Sequence, residues 1–539
     1  MRSLQTWLCR LFLLLVFFSL AQCANRGNPS GGPEDVTPPR LLRASPDNFS
    51  TEFDSKVIKL SFDEFIKLND IQKQLVISPP LKYKPLIQPQ GGASKEIIIT
   101  IKDTLLPNTT YTINFGQSVV DNNESNPLPF LTYVFSTGTY IDSLSLGGIV
   151  KDAYNRNADE FISVMLYALD SSFADSTIYT LPPKYITNTL DSTPVFELKN
   201  LKEGAYRLIA VKDKGSNNFY DPNDDKIGFV EDTIVLPTDS LYVLSLFEEE
   251  PEYYSAVPSF AAKNKIIFGY KGKADEIKIN TLSPLPDSVR TLIRKNPETD
   301  TLNYWITKNS LDSILFTVEH LPTQKIDSYT VRTRKLDLDS LLLTPSSRGP
   351  LTPEGQFYLQ GTTPIVEVDT SLIKFQVSDS LPQPYSIRLD STENKIWFDF
   401  PIEPNSGYNL EIYPSAITDF FGMVNDSLEY RLKSDSYADY GNMTILVKGN
   451  VQYPILVELL DKNGNMVQQQ YNTEEKPLEF RLLDPGNYGI RVIFDENGNG
   501  KWDTGNYKEL RQAEPVKYYP QMIEIRANWE REEVFTLSN

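Results

Sequence analysis

The sequence predicts an all-β chain of tandem β-sandwich modules following a cleaved lipoprotein signal peptide. Three observations predict the modules. From Pro39 onward, short runs alternate apolar and polar residues with a period of two, and Pro, Asn, Asp and Gly interrupt them at short intervals. Two different segments recur at fixed offsets, and no long amphipathic helical pattern competes. Alternation of this kind puts Ile58, Leu60 and Phe62 on one strand face and Lys59, Ser61 and Asp63 on the other. Tyr111, Ile113 and Phe115 alternate in the same way with Thr112 and Asn114. Repeated short strands between turn signals point to antiparallel sandwiches or barrels. At 539 residues, the chain is longer than one core usually fills.

The first repeat pairs Pro107-Asn108-Thr109-Thr110-Tyr111 with Pro404-Asn405-Ser406-Gly407-Tyr408, an offset of 297. The second pairs Leu201-Lys202-Glu203-Gly204-Ala205-Tyr206 with Leu483-Asp484-Pro485-Gly486-Asn487-Tyr488, an offset of 282. At that offset Asp213, Asn217, Tyr220 and Asp221 meet Asp495, Asn499, Trp502 and Asp503. The expected organisation is therefore a signal at 1–22, a tether at 23–38, and modules at 39–138, 139–250, 251–350, 351–437 and 438–539. The second and fifth modules are copies, the first and fourth are more distant copies, and the third has no clear twin.

The N-terminus sets the compartment. Arg2 and Arg10 precede an apolar run, Leu11 to Leu20. That run fits a signal peptide and is shorter than the ~20 residues of a membrane span. Leu20-Ala21-Gln22-Cys23 follows and resembles the lipobox of bacterial lipoproteins, with Gln22 where a small residue is usual. The resemblance implies cleavage before Cys23 and acylation of that cysteine. Cys9 lies inside the signal, so the mature chain would contain no disulfide. Residues 24–39, ANRGNPSGGPEDVTPP, read as a flexible tether.

Ser45-Pro46, the run Ile58 to Glu64, Leu105 to Thr112, the Asp-rich turn Val120 to Leu128 and Val134 to Gly138 together resemble the bacterial Ig-like domains of surface-layer and envelope proteins. Gly is usual where Ser125 stands. A lipid cysteine, then GGPEDVTPP, then this domain resembles envelope lipoproteins of the Bacteroidota. The second and fifth modules resemble transthyretin-like or carboxypeptidase-regulatory-like sandwiches, in which an LxxGxYxL hairpin recurs. These resemblances imply location and architecture but no reaction, because such folds host many functions.

Composition narrows the chemistry. A single His320 cannot build a multi-histidine zinc site or several catalytic couples. Acidic residues outnumber basic ones 71 to 52, which disfavours a nucleic-acid partner. No GxSxG, HExxH or P-loop pattern occurs. The expectation is a non-enzyme. The sharpest site signal is Asp495-Glu496-Asn497-Gly498-Asn499-Gly500-Lys501-Trp502-Asp503. Its oxygens at positions 1, 3, 5 and 9 match most of a calcium loop, with Lys501 offering a carbonyl and Asn506 where the bidentate Glu belongs. The earlier copy offers Asp213, Asn217, Asp221 and Asp224. Structural calcium is the one cofactor expected; the competing reading is a polar hairpin closed by Asx-turns. Trp305, Trp397, Trp502 and Trp529 would either pack in the sandwiches or form a sugar platform.

The function these features imply is a non-catalytic outer-membrane lipoprotein that scaffolds or binds envelope components. It would be lipid-anchored, in the periplasmic leaflet, with an envelope or outer-membrane protein as partner. Alternatives are a surface glycan-binding lipoprotein of a polysaccharide-uptake system and an envelope hydrolase.

Overall fold

In the strand Val57–Leu68, Ile58, Leu60, Phe62 and Ile66 are buried, while Val57, Lys59 and Asp63 face solvent. The alternation expected from sequence is thus the core-facing pattern of the first sandwich. The computed structural model describes residues 35–189, 193–272, 276–296, 299–307, 311–377, 381–382 and 384–537. The signal at 1–22, Cys23 and the tether up to residue 34 lie outside the described residues. Residues up to Ser145, with Tyr185–Thr187 and Leu198–Lys202, form one compact unit, and the remaining residues form a second.

In the first unit, one sheet orders Leu41–Ser45, Val57–Leu68, Ser94–Thr100 and Leu86–Gln88, with Val119–Asp121 added to the long strand. The other orders Val76–Ser78, Thr110–Asn114 and Thr132–Ser136. Ile99, Ile113 and Phe115 close the core between them. Each such side chain, fully buried, contributes about 1.5–3 kcal/mol.

Two devices tie the loops of this sandwich. The Tyr111 hydroxyl accepts the Leu106 N–H at 2.9 Å, and Thr137 Oγ1 accepts the Thr109 N–H at 3.0 Å. Buried Asp121 accepts four successive N–H groups, from Asn123, Glu124 and Ser125 on Oδ1 and from Asn126 on Oδ2. The 351–437 region repeats both. Tyr408 OH accepts the Glu403 N–H at 2.6 Å, Ser434 Oγ accepts the Ser406 N–H at 2.9 Å, and buried Asp419 holds the N–H groups of Phe421 and Met423. Ser125 has φ 67°, and Gly422, which stands at the equivalent place, has φ 80°. The turn requires a left-handed residue there, so Ser125 is strained where glycine would not be.

The second unit holds four sandwiches. In the third module, Lys265–Lys271, Thr301–Ile306 and Thr291–Lys295 form one sheet and Ile277–Thr281, Ser313–His320 and Lys325–Arg332 the other, over Phe268, Tyr304 and Phe316. The fourth sandwich begins before the expected 351. Leu343–Pro345 pairs with Phe357–Gly361, so the Pro- and Ser-rich stretch between them is a hairpin loop inside the module rather than a linker.

The two copies of the remaining sandwich share one plan. Gly204–Lys212 pairs with Ser163–Ala168, Lys226–Phe229 and Ile234–Leu236; Gly486–Phe494 pairs with Ile455–Leu460, Val516–Tyr518 and Ile523–Ile525. Purely antiparallel sheets were expected, but each copy carries one parallel pair. Leu241–Leu246 runs parallel to Leu144–Asp152, and Glu530–Leu537 parallel to Gly441–Gly449. In each copy the first strand lies between another strand, Val195–Leu201 or Leu478–Leu483, and the last strand, which returns from the opposite sheet and runs in the same direction as the first.

Asp121 generates a pH prediction. Burial pushes its carboxyl upward, but the four N–H groups outweigh burial and hold it below its ordinary 3.8. A lowered folded pKa gives stability that is complete above the unfolded value and is lost as pH falls through the folded one. Asp121→Asn in a 35–138 fragment should cost about 1.5–3 kcal/mol at neutral pH. The gap should start to narrow near pH 3.8 and close as pH falls through the lower folded pKa, where the wild type also protonates. Urea midpoints at neutral and acid pH check this; a gap of equal size at both would refute it.

Candidate functional site

The polar loops singled out in the sequence lie at one end of each copied sandwich, directly after the strands Gly204–Lys212 and Gly486–Phe494. Most of their hydrogen bonds fall on equivalent atoms, with Asp495 taking one N–H more than Asp213. Asp495 Oδ1 accepts from Gly498 and Asn499 and Oδ2 from Gly500; Asp213 Oδ1 accepts from Asn217 and Oδ2 from Asn218. Asn499 Oδ1 takes the Lys501 N–H at 3.0 Å, as Asn217 Oδ1 takes the Phe219 N–H at 3.0 Å.

Each loop is closed by a buried acid that the sequence reading missed. Glu514 Oε1 accepts the Glu496 N–H and Oε2 the Asp503 N–H, each at 2.9 Å. Asp225 does the same at the equivalent atoms, accepting from Lys214 at 2.9 Å and Asp221 at 3.0 Å. Burial raises the pKa of both closing acids. Asp224, expected as a ligand, is exposed, and its N–H caps the Asp221 carbonyl. Glu514 was hidden because it stands nineteen places after Asp495, whereas Asp225 stands twelve after Asp213. The seven extra residues fold into a tight turn in which Asn506 and Arg511 exchange backbone hydrogen bonds. Asn506, which stands where a calcium loop carries its bidentate Glu, is thereby held in this turn.

The donor set in the 495–503 loop is already engaged. Asp503 Oδ2 accepts the side-chain amide of Asn497 at 2.6 Å and of Asn499 at 2.5 Å, while Oδ1 lies 3.9 Å from Lys501 Nζ. Burial pushes Asp503 up, but the two amides hold it below the usual carboxylate range. Among the described residues, no three His, Cys, Asp or Glu side chains converge as a metal set. The calcium expectation therefore rests on residue spacing alone.

The extra turn joins the two copies within the second unit. Buried Glu249 accepts the Tyr220 hydroxyl on Oε2 and the Tyr507 N–H on Oε1, both at 2.6 Å. The Tyr507 ring meets Phe229 edge-on at 5.2 Å. A Cβ on Gly505 would stand 2.4 Å from Phe247 Cζ, so only glycine passes there. Beside this contact, Arg491 donates from Nε to Glu458 Oε2 at 2.5 Å and from Nη2 to Tyr154 OH at 2.6 Å, and its guanidinium lies 3.8 Å from the Tyr154 ring centre. Arg491 and Glu458 are each 3% exposed. Burial alone would lower the Arg491 pKa, but its hydrogen bond with Tyr518 and the Glu458 charge raise it.

The remaining candidates are occupied by packing. His320 is buried at the end of its strand, with Nδ1 2.7 Å from Thr323 Oγ1 and its ring stacked on Tyr253 at 3.9 Å. Trp502 donates Nε1–H to the Glu514 carbonyl and packs on Tyr154. Trp397 packs at a tilt on Tyr358, Trp305 is buried, and Trp529, though partly exposed, lies under Arg526.

Residues 35–137 match the bacterial Ig-like domain family, a match confined to the first sandwich. No curated protein sequence matches. Among solved structures, the surface layer protein SbsC (domains 1–6) is 11% identical over 90% of this chain and 67% of its own, with a TM-score of 0.16. The Bacillus anthracis TIE protein is 12% identical over 95% of this chain and 76% of its own, with a TM-score of 0.13. The major pilin subunit BcpA of Bacillus cereus is 9% identical over 74% of this chain and 99% of its own, with a TM-score of 0.14. At such scores these likenesses carry no argument about shared arrangement or activity.

Two outcomes are expected. Arg491→Ala strands Glu458 as a buried, unpaired charge and should cost about 3–5 kcal/mol by denaturant titration; a loss under 1 kcal/mol would show that water reaches the pair. Asp495→Ala, which removes the acceptor for three N–H groups, should lower the melting temperature equally in calcium and in chelator. If the wild type melts higher in calcium and the variant abolishes that difference, a cation displaces the amides and the loop is a calcium site after all.

Proposed function

We propose that this chain is a non-catalytic lipoprotein, anchored in the outer membrane through Cys23 and facing the periplasm, that serves as a modular scaffold or binding protein of the cell envelope. One observation carries the reading: a bacterial Ig-like domain begins at residue 35, a short tether away from the lipobox-like Leu20-Ala21-Gln22-Cys23. The succession of sandwiches supports it, as does the packing of His320, which leaves the one imidazole engaged in structure rather than poised for proton transfer. Among the described residues, no helix is long and apolar enough to cross a membrane. A diacylglycerol with an amide-linked chain would supply the attachment, because stable anchoring takes more than one acyl chain.

The first acids after Cys23 are Glu34 and Asp35, so an acidic stretch of the kind that often follows the cysteine of surface-exported lipoproteins is missing, which favours the inner leaflet. We read the two copied sandwiches as transthyretin-like or carboxypeptidase-regulatory-like modules and the chain as a Bacteroidota protein. The partner is an envelope or outer-membrane protein, met through exposed sheet surfaces.

Cys23→Ala should move the protein from the membrane to the soluble fraction after a carbonate wash, and wild-type protein on intact cells should resist added protease. Membrane retention of the variant would refute the lipid anchor, and cleavage on intact cells would place the protein on the surface. Affinity capture of the wild type from native membranes should bring down a barrel or envelope protein.

A further inference from the structure

We infer that a cleft between the third and fourth sandwiches of the second unit binds a small ligand carrying an oxyanion, a carboxylate or phosphate, on a hydroxyl-bearing body. The cleft is about 160 Å³ and is walled by the strands Lys265–Lys271, Thr291–Lys295 and Thr301–Ile306 on one side and by Gly361, Thr362 and Asn394 on the other. Strand register builds its floor. Lys265 stands opposite Trp305, and Arg294 opposite Asn303. Trp305 and Asn303 are two residues apart, so these four side chains share one face.

The charge in this cleft departs from that of the chain. The protein carries a formal −19, yet Lys265, Arg294 and Lys295 line the cleft with a single acid, Glu393. That acid is spent, since Glu393 Oε2 lies 2.8 Å from Lys395 Nζ; Lys265 Nζ in turn lies 4.0 Å from Asp339 Oδ2, so Arg294 and Lys295 are the cations of the cleft left to a ligand. Arg294 gives its hydrogen bonds to neutral acceptors, Asn394 Oδ1 at 3.1 Å and the Ile365 carbonyl at 3.5 Å. Half-burial without a facing carboxylate pushes its pKa down. The guanidinium is also held in place, because Asn394 is pinned by three hydrogen bonds: Nδ2 to the Gly361 carbonyl at 2.7 Å and to the Thr363 carbonyl at 2.8 Å, and Oδ1 from the Ile365 N–H at 2.8 Å. A fixed guanidinium fork is suited to a planar or tetrahedral oxyanion.

A second, independent observation indicates the rest of the ligand. Asn303 Oδ1, in the same cleft and directly opposite Arg294, is buried and has no hydrogen-bond partner in the protein. A buried acceptor of this kind calls for a donor. A hydroxyl adjacent to the oxyanion would meet it once the Asn303 amide turns toward the cleft, with the Thr392 hydroxyl at the rim. The cleft has room for roughly five water volumes, enough for one small ring and too little for a long chain. Trp305 is 4% exposed, so its face is unavailable for stacking and recognition must be polar.

Calorimetric titration of the full chain with glucuronate, glucose 6-phosphate and glucose tests the inference. At least one of the two anions should bind, and glucose should bind about tenfold more weakly or not at all, since a hydrogen-bonded charge is worth that factor. The tighter anion identifies carboxylate or phosphate as the source. Asn303→Asp, which changes charge but not size, should weaken binding at least tenfold. Lys295→Gln, at the end of its strand, should weaken it and flatten its salt dependence while leaving the melting temperature in place, which guards against a folding defect in the first variant. Absence of binding by either anion, equal binding of glucose, or affinity unchanged in both variants would overturn the inference.

Discussion

The structure depends on buried carboxylates that gather backbone N–H groups. The described residues include no cysteine, so the long turns at the ends of the sandwiches are held by other means, and an amide left unpaired in a buried turn is costly. Asp121, Asp419, Asp213, Asp225, Asp495 and Glu514 each take two or more N–H donors, and all but Asp213 are buried. The charge is what makes the device work, since an ionised carboxylate offers several acceptor sites and bonds more strongly than a neutral amide would. Part of the chain's acidity is thus internal architecture rather than surface.

The same logic extends from turns to the contact between copies. Glu249 bridges a hydroxyl of its own sandwich and an N–H of the other, and Arg491 ties Glu458 to Tyr154. Polar groups at this seam are satisfied pairwise and enclosed by Phe229, Phe247 and Tyr507. Removing one partner is therefore more damaging than the contact itself is stabilising. Two modules far apart in sequence sit against each other through the extra turn of one of them and through Arg491 and Tyr518 beside it, which both reach Tyr154.

Much of this was legible in the sequence. Alternation located the faces of Val57–Leu68, and the offsets of 297 and 282 found both repeats, down to the equivalent atoms of Tyr111 and Tyr408 and of Asp213 and Asp495. Ser125 was recognised as standing where glycine is usual, and its positive φ gives the reason. What escaped was whatever a fixed offset or a period cannot express. Glu514 was displaced by the inserted turn, Leu343–Pro345 was masked by the proline and serine around it, and the parallel pairing of terminal strands is set by topology rather than by composition. Arg491 and Glu458 occupy strand positions whose neighbours are apolar, but nothing local shows that the two charges face each other or that Tyr154 covers them.

The seam has a mechanical consequence. Residues 251–437 lie between two modules that are already in contact, so they form a closed span that carries no load while Glu249, Tyr507 and Arg491 hold. Tension applied between one copy and the other falls on that contact before it reaches the third and fourth sandwiches. Because closure is intramolecular, the seam re-forms when tension drops. The duplicated module with its extra turn is in this sense a resettable fuse placed in series with the sandwiches.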